Sequence, residues 1–172
     1  MDITNISLTA KIATSFTKTV NTVVMSAAKT IEQITALTDG TGVGNADIIY
    51  YDDTVAIGTS ATVTLDLAGV LTDVFGDTVT MARLKAIIVK HKSTSSSSGV
   101  KVGGNSGASA IALFADLTDA PVVKPGGVFM QFDPSAVGLC VVTGGSADEL
   151  ELTNQDGSNA AEVEIMLIGA SA

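Results

Sequence analysis

Four apolar runs in the last third of the chain are cut apart at close intervals by turn-forming residues. VFMQF (128–132), AVGLCVV (136–142), ELELTN (149–154) and AEVEIMLIG (161–169) are separated by DPS, TGGSAD and QDGSNA. No run reaches the length of an ordinary helix, and Gly, Pro, Asn, Asp and Ser bound each one. Short strands at roughly 8–12-residue spacing with turns between them predict an antiparallel sandwich or barrel. Upstream, SATVTLDLAG alternates in the same way, with Ala61, Val63, Leu65 and Leu67 on one side and Thr62, Thr64 and Asp66 on the other. That is the pattern of a half-buried strand. ADIIYY leads through Tyr50 and Tyr51 into the turn residues Asp52 and Asp53. TVTMARLKAIIVKHK (78–92) reads as one long strand whose phase slips near Ala82, which predicts a bulge. GVLTDVFGD (69–77) breaks the alternation; Val70, Leu71, Val74 and Phe75 suit one short helical turn closed by Gly76. The expected fold is all-β, an antiparallel β-sandwich of jelly-roll-like kind with one short helical turn, in a single domain over residues 1–172.

The first 37 residues are less regular. Ile3, Ile6, Leu8 and Ile12 sit among Thr and Ser in a strand-like manner, but from Val20 the apolar positions 20, 23, 24, 27, 28, 31 and 34 are close to helical spacing. Thr and Val lose rotamer freedom in a helix, which weighs against one. The segment is therefore read as strands, with a helical turn near 24–32 as the alternative. In either case 1–37 is an N-terminal arm or a set of extra strands.

At 172 residues the chain is long enough for one domain that buries roughly 70% of its unfolded surface. With 46% apolar residues but only 4% aromatic and no Trp, its core must be aliphatic. The formal net charge is −9, unevenly spread: Lys124 is the last cation, and seven acids follow it. Such a chain lacks the basic patch that binds a phosphate backbone, so nucleic acid is not an expected partner. Three lysines near the N-terminus, Lys11, Lys18 and Lys29, carry the opposite sign and are candidate interface residues in an assembly. A single cysteine allows no internal disulfide. The N-terminus lacks a basic region followed by an apolar stretch, and no run approaches the ~18 apolar residues of a membrane span. Synthesis in a cytoplasm, with no membrane partner, is the expectation.

Chemistry is sparsely encoded. Cys140 lies in the run AVGLCVV, and as a nucleophile it would need a base; the sole histidine, His91, ends another strand between Lys90 and Lys92. One His and one Cys do not make the usual zinc site. Asp52, Asp53, Asp73 and Asp77 are oxygen donors without EF-hand spacing. GTGVG (40–44) lacks the full dinucleotide-binding spacing. Glu149/Glu151 and Glu162/Glu164 fall at i, i+2 and project from strand faces, as a glycosidase pair or, more commonly, a solvated face. No catalytic, cofactor or metal residue is assigned, and the chain is read as a non-enzyme.

Several stretches together resemble a family of small virion structural proteins of tailed bacteriophages: TDGTGVGNADIIYYDDT, LDLAGVLTDVFGDTVTMARLKAIIVK, KVGGNSGASA, VVKPGGVFMQFDPSAVGLCVV and the ending EVEIMLIGASA. The resemblance runs from about residue 38 to the C-terminus. It implies a β-sandwich particle component with no catalytic residues. The expected role is a capsid decoration (cement) protein on the virion surface, with the major capsid protein as partner and homotrimeric self-association. A tail-associated or receptor-binding module, acting through loops 93–99 and 103–109, is the alternative.

Overall fold

The computed structural model describes residues 4–94, 99–104, 107 and 109–172. Its strands in chain order are β1 (Ile6–Val20), β2 (Val23–Leu37), β3 (Ile48–Ile57), β4 (Thr62–Asp66), β5 (Ala68–Thr72), β6 (Thr78–Thr80), β7 (Arg83–His91), β8 (Val100–Val102), β9 (Val122–Val123), β10 (Val128–Phe132), β11 (Cys140–Val141), β12 (Glu149–Asn154) and β13 (Ala161–Ala170). One sheet runs β10-β7-β13-β3, with β11 also paired to β7; a second runs β4-β12-β8-β9. Every ladder in them is antiparallel. Val89, Val163 and Leu167 of the first sheet share one buried cluster with Leu65, Leu150 and Leu152 of the second. The chain is thus an all-β sandwich with an aliphatic interior.

The sequence of β13 records both of its environments. Val163, Ile165 and Leu167 face the interior of the sandwich, while Glu162 and Glu164 face out. Further along, Met166 and Ile168 also point out, yet they belong to a second cluster with Ile6, Leu8, Leu37 and Ala86. The run therefore changes from alternating to continuously apolar where its outer face becomes covered, because a strand buried on both sides has no solvated positions to fill with polar residues.

Several local expectations are corrected. No helical turn forms at 69–77: β5 and β6 make a hairpin instead, in which the Asp73 carboxylate accepts the N–H groups of Phe75 and Asp77 at 2.8 and 2.9 Å. Asp73 thus closes a turn that the apolar spacing had disguised as a helix. Gly76 does adopt a left-handed conformation, φ 89°. The alternative helical turn near 24–32 is extended strand within β2. Asp52 and Asp53 do not end β3; the ladder to β13 shifts register there and continues to Ile57. AVGLCVV contributes only Cys140–Val141 as strand, because Gly138 turns left-handed (φ 72°) and lies against the backbone of Leu84.

The expected long strand over 78–92 is two strands, and its bulge falls at Lys85 rather than near Ala82. Ile168 pairs with Ala86 and Gly169 with Leu84, which leaves Lys85 as the extra residue. The bulge turns a lysine into the protein, where it is fully buried. Its ammonium donates to the carbonyls of Ser135, Ala136 (3.0 Å) and Gly42 (3.4 Å). Burial lowers its pKa. One cation thereby gathers the loop after β2 and the loop after β10 onto β7. Lys85→Met retains the stem but leaves those carbonyls without their donor. It should cost about 2–4 kcal/mol of stability in denaturant unfolding; an unchanged midpoint would show that the ammonium contributes nothing.

Candidate assembly interface

β1 and β2 form a two-stranded hairpin that makes no ladder with either sheet of the sandwich. The reversal between them is Asn21-Thr22, both with positive φ (50° and 70°), the two-residue turn whose twist matches paired strands. Register runs unbroken from Val20↔Val23 to Ile6↔Leu37. Only the root is anchored: Ile6, Leu8 and Leu37 are buried in the second cluster, against the outer face of the β10-β7-β13-β3 sheet. Beyond the root, residues 9–19 and 21–34 are all exposed. About a dozen residues per strand then project roughly 40 Å from the body.

Because directly paired residues share a face and faces alternate along each strand, the register sorts the arm's side chains. The face that is buried at the root continues outward as Ile12 opposite Ile31, Lys29 opposite Thr14, Phe16 opposite Ala27 and Lys18 opposite Met25. Ile12, Ile31 and Phe16 are 70%, 78% and 61% exposed, large values for a face of this composition. The other face carries Lys11 paired with Glu32 at 3.2 Å. The three candidate lysines thus lie on one hairpin but not on one face. Lys18 and Lys29 accompany the apolar stripe and form no ion pair among the described residues; Lys11 points away, already paired.

Beside the arm's root is a cavity of about 320 Å3. Leu8, Ile88, Met130 and Met166 supply its apolar surface, and Tyr51, Lys90 and Glu164 its polar edge. The Tyr51 hydroxyl donates to Glu164 Oε1 and the Lys90 ammonium to Oε2, each at 3.1 Å. These donors hold the Glu164 carboxyl below its ordinary pKa, Lys90 first and Tyr51 second, while the same hydrogen bond raises that of Tyr51. The groove is an apolar trough with a fixed, satisfied polar edge.

The other candidate groups are kept apart. Cys140 pairs with Leu84 at the start of β7, whereas His91 ends that strand, about 23 Å away at the rise of a strand. Burial pushes the Cys140 thiol up to about 11, so it is not poised as a thiolate. Glu149 and Glu151 point outward from β12 and Glu162 and Glu164 outward from β13, on opposite sheets of the sandwich. Asp73, Asp77 and Asp47 line a cleft of about 110 Å3, but among the described residues no group of three or more His, Cys, Asp or Glu is placed to hold a metal ion. The glycines of GTGVG lie in a turn closed by Thr38 N–H to Gly44 O at 3.0 Å. Of the two loops considered for receptor contact, residues 95–98 and residues 105, 106 and 108 lie outside the described residues.

The arm itself was only partly readable in the sequence. Its apolar positions 23, 27 and 31 fall on one face of β2 and 24, 28 and 34 on the other, so two separate stripes imitate one helical stripe. The turn signal was Asn21-Thr22 between β-branched residues, weaker than Asn-Gly because Thr is uncommon at positive φ. Comparison with known proteins finds no matching family model, curated protein or solved structure.

His91, at the end of β7, is buried: it is 1% exposed. Its Nδ1 accepts the Ser93 N–H at 3.2 Å, and its Nε2 has no hydrogen-bond partner among the described residues. Desolvation lowers its pKa, so the unfolded chain binds the proton more readily than the folded one. Stability should therefore fall as pH drops below about 6.5, the ordinary histidine value. Thermal unfolding of His91→Leu between pH 7 and 5 should show a smaller acid loss than the parent; an equal loss would place the effect elsewhere.

Proposed function

We propose that the protein is a structural component of a bacteriophage particle, a capsid decoration (cement) protein that binds the major capsid protein at capsomer junctions. The observation that carries an assembly role is the arm, a long hairpin that projects from the β-body with Ile12, Phe16 and Ile31 of one face open to solvent. Soluble monomers rarely leave so many large apolar side chains exposed on one narrow ribbon, and exposed apolar surface of that extent generally serves as a contact. The motifs quoted from residue 38 onward supply the particle. A cement protein needs no reaction centre, because its effect is the summed burial at many repeated contacts on one shell.

The topology supports reading the body as a jelly roll. If β3, β4, β7, β8, β9, β10, β12 and β13 are counted one to eight, the sheets read 6-3-8-1 and 2-7-4-5. Strands one with eight, two with seven, three with six and four with five are all paired. That succession arises when one long antiparallel hairpin is rolled into two facing sheets, an architecture used in viral capsid domains and elsewhere.

Mixing the purified protein with mature capsids and with unexpanded precursors, followed by sedimentation, tests the role. Saturable co-sedimentation with the mature shell, and survival of decorated capsids at temperatures that open bare ones, is the expected result. Binding to neither form sinks the reading, and capture by tails or host cells would favour the tail-associated module instead.

A further inference from the structure

We infer that the arm is exchanged between copies: the apolar face of one protomer's hairpin seats in the groove beside the arm root of a neighbouring protomer. This rests on the assembly reading above and names the surface that such assembly would use. Three observations point to a second copy as the occupant.

The first is continuity. The arm's apolar face is already seated at its root, through Ile6, Leu8 and Leu37, on the outer face of the β10-β7-β13-β3 sheet. The groove is the next part of that same outer face, carrying Ile88, Met130 and Met166. The body thus offers a neighbour's arm the kind of surface on which its own arm root is packed. A trough of about 320 Å3 has room for large side chains of the type that Ile12 and Phe16 present.

The second is charge. Residues 6–37 hold three lysines against one glutamate, whereas residues 38–172 hold sixteen of the eighteen acids with six of the nine cations, a net −10. Lys18 and Lys29 stand on the apolar face itself. Packing arm against arm would crowd these like charges; the body is acidic as a whole, and at the groove itself its acid is Glu164, held beside Lys90.

The third is area. A two-stranded ribbon about 40 Å long and about 10 Å wide presents about 400 Å2 on one face. Counting both partners, one seated arm buries about 800 Å2, and reciprocal exchange about 1,600 Å2, the size of a standard stable interface. One unreciprocated arm falls short of that, so each protomer should both give and receive.

Site-specific trapping in the full-length protein tests this. Phe16→Cys protein and Met130→Cys protein are oxidised separately and as a mixture, with Cys140 buried in both. The expected result is a disulfide-linked pair only in the mixture. Phe16→Cys protein that cross-links to itself would show arm-on-arm packing and overturn the inference. Sedimentation equilibrium of the parent should show a reversible oligomer. Phe16→Asp, at an exposed site that leaves the body's unfolding midpoint unchanged, should weaken it roughly 30-fold or more, as loss of a buried aromatic anchor does. A parent that stays monomeric at every concentration also overturns exchange. If that monomer still decorates capsids, the virion reading stands without it. An exchanged oligomer that ignores capsids overturns the virion reading alone.

Discussion

Strand β13 is the element on which both halves of the structure depend. It pairs with β3 on one side and β7 on the other, and its two faces serve two different clusters. Val163, Ile165 and Leu167 close the sandwich against the second sheet, while Met166 and Ile168 provide the outer surface on which the arm is rooted. A two-stranded ribbon has no interior of its own and is marginal in water. The arm's position is therefore set by the sheet it stands on, through Ile6, Leu8 and Leu37.

The body has an aliphatic interior, and a few buried polar groups fix its loops instead of its core. Lys85 is brought inward by a register shift and held by backbone carbonyls from two loops. Asn154 does comparable work at the other sheet, donating to Gly58 O at 3.0 Å and Asn159 O at 2.8 Å. Such groups tolerate burial because their hydrogen-bonding capacity is met by backbone that would otherwise lack partners. The loops they hold flank the strands of the sandwich, so the polar tethers and the aliphatic core reinforce one geometry.

The arm departs from this economy of burial. Its outward face alternates apolar pairs with lysines, a pattern suited neither to a solvated strand nor to an interior. Under the arm exchange proposed above, apolar positions supply burial, and cations supply orientation against an acidic partner. On that reading the uneven charge along the chain is a division between arm and body, a sharper boundary than the acidic tail after Lys124 alone.

Strands β4, β10, β12 and β13 were legible in the sequence because period-two alternation and turn residues act over a few positions and need no partner. The sequence by itself determined an aliphatic all-β body, the sign of its charge and the placement of three lysines ahead of residue 38. Tertiary structure alone removed the alternative of a helical turn near 24–32, which is strand within β2, since apolar positions on two faces of a ribbon mimic one face of a helix. It also decided that Lys85 is buried, that His91 lies far from Cys140, and that Lys18 and Lys29 share a face which Lys11 does not. Those outcomes depend on register, and register is set by turns and partner strands that no local stretch contains.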